Sequence, residues 1–190
     1  MIEVYSRLFV GSAQDYEEYV SRQNGWAVVQ ACKEPYHRKA LGYQGRSADR
    51  THPEYLMAQR ENRLILNMID VDDPSFFSKD MIDEVLDFID AQHHASLHVL
   101  VHCTHGLSRS PSLALLCMAA RFRILPTSSL ESAEEQFIKL YPPYNPKSGI
   151  RGHLALYWDQ YCREGAVHLE DFRFVRQGDA LSHETGEGTI

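Results

Sequence analysis

Cys103 and Arg109 bracket five residues, Thr104, His105, Gly106, Leu107 and Ser108, and that spacing can do phosphate chemistry. An apolar run, Val99-Leu-Val-His102, leads into the thiol, and a long apolar helical pattern begins at Ser110. This is a strand, a tight loop and a helix N-terminus, whose inward N–H groups and dipole cradle an anion. The same field favours a thiolate over a thiol. Arg109 adds a planar fork able to grip two phosphate oxygens. A thiolate beneath a held phosphate can displace the ester oxygen, which divides a difficult hydrolysis into two easier displacements. A bare Cys-x5-Arg recurs by chance, but His102 before it, Gly106 at the third loop position and Ser110 after it make the pattern specific. The bland alternative is an inert cysteine at a strand end beside a surface arginine.

A departing phenolate or alkoxide needs a proton, so a carboxylic acid must reach the bridging oxygen. Three candidates lie in one stretch, Ile69-Asp-Val-Asp-Asp73. For Asp70 and Asp72 the ordinary role is turn capping and solvation.

The elements that must position these groups alternate. Arg7–Gly11 reads as a strand, with Ser12 as N-cap of a helix over 13–23 and Gly25 beyond its end. Trp26–Cys32 is a second strand, nearly uncharged and hence central. Lys33, His37, Arg38, Lys39, Arg46 and Arg50 then crowd a long polar connection, which predicts an anion-facing flap near the site, against the plainer reading of a solvated loop. Thr51-His-Pro-Glu54 reads as a capping box opening a helix to about Glu61. Arg63–Asp70 is the third strand. Ser78 caps a helix to about His94 whose apolar face recurs at helical spacing. Leu97–His102 is the fourth strand. The helix from Ser110 to Arg123 is apolar nearly all round and should be buried. A capping box at Ser128 opens a helix to about Leu140. A proline-rich turn, Pro142–Pro146, precedes a last helix from Ser148 to about Cys162. The expected fold is a three-layer α/β/α sandwich with a largely parallel central sheet. Residues 1–164 form its domain, with an extended basic insertion at 33–60, and 165–190 form a C-terminal tail.

Bulk properties exclude several classes. The net charge of −7 argues against a nucleic-acid carrier or a membrane-surface protein. No window approaches the apolar length of a membrane span, and no signal peptide is expected. The four cysteines are irregularly spaced, which fits neither a zinc knuckle nor a disulfide scaffold, so a cytoplasmic protein is expected. No His/Asp cluster has metal spacing, and neither metal nor cofactor is called for. The oligomeric state stays open. Cys32 closes a strand whose end converges on the site, so it either forms a reversible disulfide with Cys103 under peroxide or is a small buried hydrophobe.

His102-Cys-x-x-Gly-x-x-Arg-Ser110 resembles the active-site motif of the protein tyrosine phosphatase superfamily, in its dual-specificity branch. The mid-chain cradle with an acidic loop upstream also matches that branch, and the resemblance covers about residues 5–160. It implies a phosphorylated protein substrate, phosphotyrosine first, with phosphoserine and phosphothreonine as further candidates. It implies that Cys103 is the nucleophile, that Arg109 and the loop from Thr104 to Ser108 bind the phosphate, and that Ser110 hydrogen-bonds the leaving thiolate. The Ile-x-Val-x-Asp pattern points to Asp73 as the acid, with Asp72 in reserve. The family carries proline where Asp70 stands. His102 would order the cradle by hydrogen bonds, although strand alternation turns its side chain away from it. Asn145 resembles an asparagine that braces the acid loop or cradle. Within the same chemistry, Cys-Thr-His-Gly also resembles RNA 5′-triphosphatases, and the basic loop keeps a phosphoinositide phosphatase in view. A phosphoprotein-binding pseudophosphatase is the alternative of a different class.

Overall fold

Apolar runs without charge fill the middle of a sheet, because only a strand covered on both faces can keep every side chain dry. The computed structural model describes residues 1–174, with side chains as far as Arg163, and it follows this rule. The chain runs β1 (Ile2–Tyr5), β2 (Leu8–Ser12) and α1, an α-helical turn Ala13–Asp15 that widens into a π-helical turn Tyr16–Val20. It continues through β3 (Trp26–Gln30), α2 (Arg38–Leu41), β4 (Met57–Arg60) and β5 (Arg63–Leu66). Then come α3 (Lys79–His94), β6 (His98–Cys103), α4 (Arg109–Ala120), α5 (Leu130–Leu140) and α6 (Ser148–Phe174). The sheet order is β1-β2-β6-β3-β5-β4. Its four inner strands are parallel, and β1 and β4 join the edges antiparallel. Leu100, Val101 and His102 of β6 are fully buried between β2 and β3.

One face of this sheet carries the main core. Val99, Val101 and Cys103 of β6, with Ala27 and Val29 of β3, pack against Ile82, Leu86 and Ile89 of α3 and Leu113, Leu116 and Ala120 of α4. Each fully buried aliphatic side chain contributes about 1.5–3 kcal/mol, which is what makes a 16-residue α3 stable when isolated helices of that length are marginal. Every residue of α4 is buried, as its all-round apolar pattern predicts. The opposite face is thinner. There Val28, Leu100 and Ile65 meet Tyr16, Val20 and Tyr36 from α1 and the turn before α2.

Several expectations need correction. The capping-box pattern at Thr51 opens no helix: Thr51 instead donates to Asp49, and Met57–Arg60 pairs with β5 through a two-residue turn at Glu61-Asn62. A two-residue hairpin fixes register locally, and the open edge of β5 rewarded a strand over a lone helix. The connection after β3 is not purely a loop, for it holds a helical turn and α2, stopped by Gly42 at a φ of 73°. Ser129, not Ser128, caps α5. Finally, α6 runs past Cys162 to Phe174, through the first residues expected as tail; the rest of that segment lies outside the described residues. Gly165 alone costs a helix only about 1 kcal/mol, and no proline follows it to break the helix.

Candidate active site

Cys103 ends β6 beneath the loop and is almost fully buried. The direction of the loop's peptide groups is decided by what holds its carbonyls. The Thr104 carbonyl accepts from Ala13 N at 3.4 Å, the Gly106 carbonyl from the Tyr141 hydroxyl at 2.9 Å, and the Leu107 carbonyl from Asn145 N at 2.8 Å. With the carbonyls anchored outward, no backbone N–H from Thr104 to Ser108 donates a hydrogen bond among the described residues. Five consecutive unpartnered amides on the loop that follows a buried sulfur are the donors an anion nest requires. Gly106 makes the turn at a φ of 76°, and a Cβ there would come within 3.1 Å of both the Gly11 carbonyl oxygen and the Tyr141 hydroxyl.

Arg109 is 5% exposed and its guanidinium is fixed from two sides. Nη1 donates to the Met68 carbonyl at 2.9 Å and Nη2 to Thr104 Oγ1 at 3.0 Å. Its Nε is buried with no hydrogen-bond partner among the described residues. A guanidinium held this way keeps a donor in reserve for an oxygen that is not protein. The Ser110 hydroxyl lies 3.2 Å from Cys103 Sγ and 3.2 Å from the Gly11 carbonyl. It has one proton, so it can support the thiolate whenever it releases Gly11.

The structure brings Cys103, His105, Leu107, Ser108, Arg109 and Asn145 to one cleft of about 190 Å³, together with two residues the sequence did not single out as its lining, Asp70 and Lys147. Asp70 Oδ1 accepts from Ser108 Oγ at 2.8 Å and stands 3.9 Å from Arg109 Nε. Lys147 N donates to Ser108 Oγ at 3.1 Å, and its Nζ to the Asp70 carbonyl at 3.1 Å. Asp70 is the residue that replaces the family's proline, and that departure was the signal available in the sequence. Tyr141 carried no such signal.

Asp72 and Asp73 are not among the residues lining that cleft. Asp72 accepts from Ser148 Oγ at the start of α6. Asp73 is exposed and caps the turn Pro74–Phe76, accepting from Ser75 N at 2.9 Å, and this backbone hydrogen bond holds its carboxyl below the ordinary aspartate range. The loop carrying all three rests on α6 by way of Gly149, where a Cβ would lie 2.1 Å from the Val71 carbonyl oxygen. Because backbone cannot yield cheaply, Gly149→Ala is expected to cost about 1–3 kcal/mol, or about 2–4 °C in Tm per kcal/mol. Gly45→Ala, whose Cβ would meet nothing closer than 4.0 Å, is the control in the same thermal melt.

His102 makes no hydrogen bond of good geometry through either ring nitrogen among the described residues. Its ring stacks on Tyr16 at 4.9 Å and meets the edge of Tyr36 at 5.0 Å, on the face away from the cradle. Burial brings its pKa down to about 4, against a backbone hydrogen bond at Cys103 that acts the other way, so the ring packs neutral. Asn145 does brace the cradle, but with its main chain. No residue of 33–60 is among those lining the cleft, although Lys33 N donates at 3.0 Å to the Met68 carbonyl that also holds Arg109. Arg38 pairs with Glu34, Lys33 donates to the Arg46 carbonyl, and His37 is buried against the Glu54 carbonyl. Cys32 packs with Tyr16, Tyr36 and Leu100, across the sheet from Cys103, and burial pushes its thiol up to about 12. That is the setting of a small buried hydrophobe.

A four-stranded parallel centre with a cysteine at the end of one middle strand and an arginine opening the next helix is the fold of the dual-specificity phosphatases within the protein tyrosine phosphatase superfamily. Solved structures share it over most of their length. DUSP15 is 18% identical with a TM-score of 0.63, over 90% of this chain and 95% of that one. Human DUSP28 is 20% identical with a TM-score of 0.54, over 86% and 93%. A human tyrosine phosphatase-like serine/threonine/tyrosine-interacting protein is 18% identical with a TM-score of 0.53, over 88% and 96%. No family model matches the sequence. Among the described residues no helix is long and apolar enough to cross a membrane.

Proposed function

We propose that this protein is a cysteine-dependent phosphatase that hydrolyses phosphotyrosine in proteins through a phosphocysteine intermediate. The observation that carries the reading is the set of donors around Cys103: five loop amides without a hydrogen-bond partner among the described residues, beside a buried Arg109 whose Nε has only the Asp70 carboxylate at 3.9 Å. Donors fixed in advance where negative charge develops are the largest single contribution in reactions of this kind. Cys103 Sγ attacks phosphorus in line. The S–P bond forms as the ester P–O bond breaks, and the departing oxygen takes a proton from a carboxylic acid. Water then attacks phosphorus, giving its proton to the carboxylate left by the first step. The new P–O bond forms as the S–P bond breaks, the thiolate is supported by Ser110, and phosphate leaves.

The acid assigned is Asp73. Asp70 lines the cleft, but its contacts with Ser108 and Arg109 support a role in positioning the fork instead of protonating the leaving group. Asp73 gives up its bond to Ser75 N–H when it protonates the leaving oxygen. The test is a leaving-group series. Asp73→Asn is expected to slow phenyl phosphate by about 10²-fold while p-nitrophenyl phosphate is slowed far less. Asp70→Asn should slow both by one common factor. If the leaving-group dependence follows Asp70 instead, the assignment is wrong.

The protein substrate is supported by the cleft's single cradle arginine and by the absence of lysine from Thr104–Ser108. Comparing phosphate release from a phosphotyrosyl peptide, a triphosphate-ended RNA and inositol lipids tests it. The peptide should be the best of the three, and preference for either other substrate overturns this part of the reading. Failure to turn over p-nitrophenyl phosphate would favour a binding module on the same fold.

A further inference from the structure

The thin face of the sheet holds a second groove, of about 310 Å³, between α1 and α2 above β3 and β5. Its volume is near the lower end of ordinary ligand pockets, which span about 300–1,000 Å³. Gln30 lies in its floor, 2% exposed, and the side-chain Nε2 is buried without a hydrogen-bond partner among the described residues. An orphaned buried amide is costly, about 1–3 kcal/mol, and structures seldom keep one unless something external satisfies it. Gln30 pairs in register with His102, so the groove floor lies one residue from the nucleophile's position but on the other face of the sheet.

The walls are unevenly charged. Lys39 on α2 and Arg63 on β5 both line the groove, and neither has an ion-pair or side-chain hydrogen-bond partner among the described residues. The third cation, Arg60, is held by both oxygens of Glu54. The one carboxylate in the wall, Glu17, already accepts from the Tyr36 hydroxyl at 3.0 Å. In a chain of net charge −7, two uncommitted cations and an uncommitted amide therefore surround one space. Their approach from three separate elements suits a tetrahedral oxyanion better than a planar carboxylate.

We propose that this groove is a second oxyanion site, binding the phosphate group of a small phosphomonoester through Lys39, Arg63 and Gln30. It shares no lining residue with the Cys103 cleft. The proposal stands apart from the phosphatase reading.

The experiment is a titration of the full chain with inorganic sulfate, followed by amide NMR. Sulfate is a tetrahedral dianion that cannot be hydrolysed as a phosphoester. Two independent sets of saturable shifts are expected: one at Gly106 and Ser108, the other at the Gln30 side-chain amide and the backbone of Ile65 and Ala40. Arg63→Ala combined with Lys39→Ala, at positions outside the core, should weaken the second set at least tenfold and leave the first unchanged. Gln30→Leu should also weaken the second set, read at Ile65 and Ala40. Sulfate that saturates the cradle without moving the groove resonances overturns the proposal. So does a groove response that survives the double substitution. Loss of the cradle set alone would count against the phosphatase reading and leave this one intact.

Discussion

Cys103→Ser is expected to lower p-nitrophenyl phosphate turnover by about 10⁴-fold or more, since removing a covalent nucleophile costs factors of that order or larger. The substitution replaces one buried chalcogen by a smaller one at the end of β6 and leaves the cradle anchors Ala13 N, Tyr141 Oη and Asn145 N in place. Folding should therefore be unchanged, and binding should outlive catalysis. The five free amides and Arg109 Nε still await an oxyanion in the variant, and sulfate shifts at Gly106 and Ser108 should persist. The contrast between lost turnover and kept binding is what separates a nucleophile from a structural thiol. A variant that retains full activity would end the covalent mechanism.

Arg109→Lys should lose about 10²–10³-fold in kcat/KM despite keeping its charge. The guanidinium satisfies two fixed acceptors, the Met68 carbonyl and Thr104 Oγ1, and its Nε, without a hydrogen bond among the described residues, stands 3.9 Å from Asp70 Oδ1. An ammonium is a single point and cannot span all three directions at once. If it turns to Met68 it deserts the phosphate. If it turns to the phosphate it leaves a buried carbonyl without a donor, which costs about 1–3 kcal/mol of stability. The measurement is paired: steady-state kinetics with the thermal midpoint. Loss of activity with unchanged inhibition by phosphate would show that Arg109 does not touch the oxyanion.

The elements most legible in the sequence were those whose cause is local. The strand, six-residue step and helix start at 99–110 follow from residue spacing and glycine chemistry. The buried face of α3 and the dry α4 follow from helical periodicity. The parallel order of the centre follows from alternating strands and helices. Less legible were β1 and β4, short edge strands whose existence depends on the neighbour they pair with. The Thr51 capping pattern was sound as local chemistry and lost to that pairing.

At the site the division is the same. The residues proposed as nucleophile, fork and supporting hydroxyl, Cys103, Arg109 and Ser110, lie within eight residues of chain, so their spacing alone singled them out, whereas the Met68 and Gly11 carbonyls that hold Arg109 and Ser110 come from elsewhere in the fold. Which carboxylate enters the cleft was decided by tertiary structure, because Asp70 and Asp73 differ by three positions on a loop whose direction depends on Gly149 of α6. The anchoring of the loop carbonyls by Tyr141, Asn145 and Ala13, and the absence of 33–60 from the residues lining the cleft, were decided there too. The physical reason is range: a motif's spacing and a helix cap are closed by neighbours in the chain, whereas a carbonyl's partner from thirty or more residues away exists only after the sheet and helices have packed.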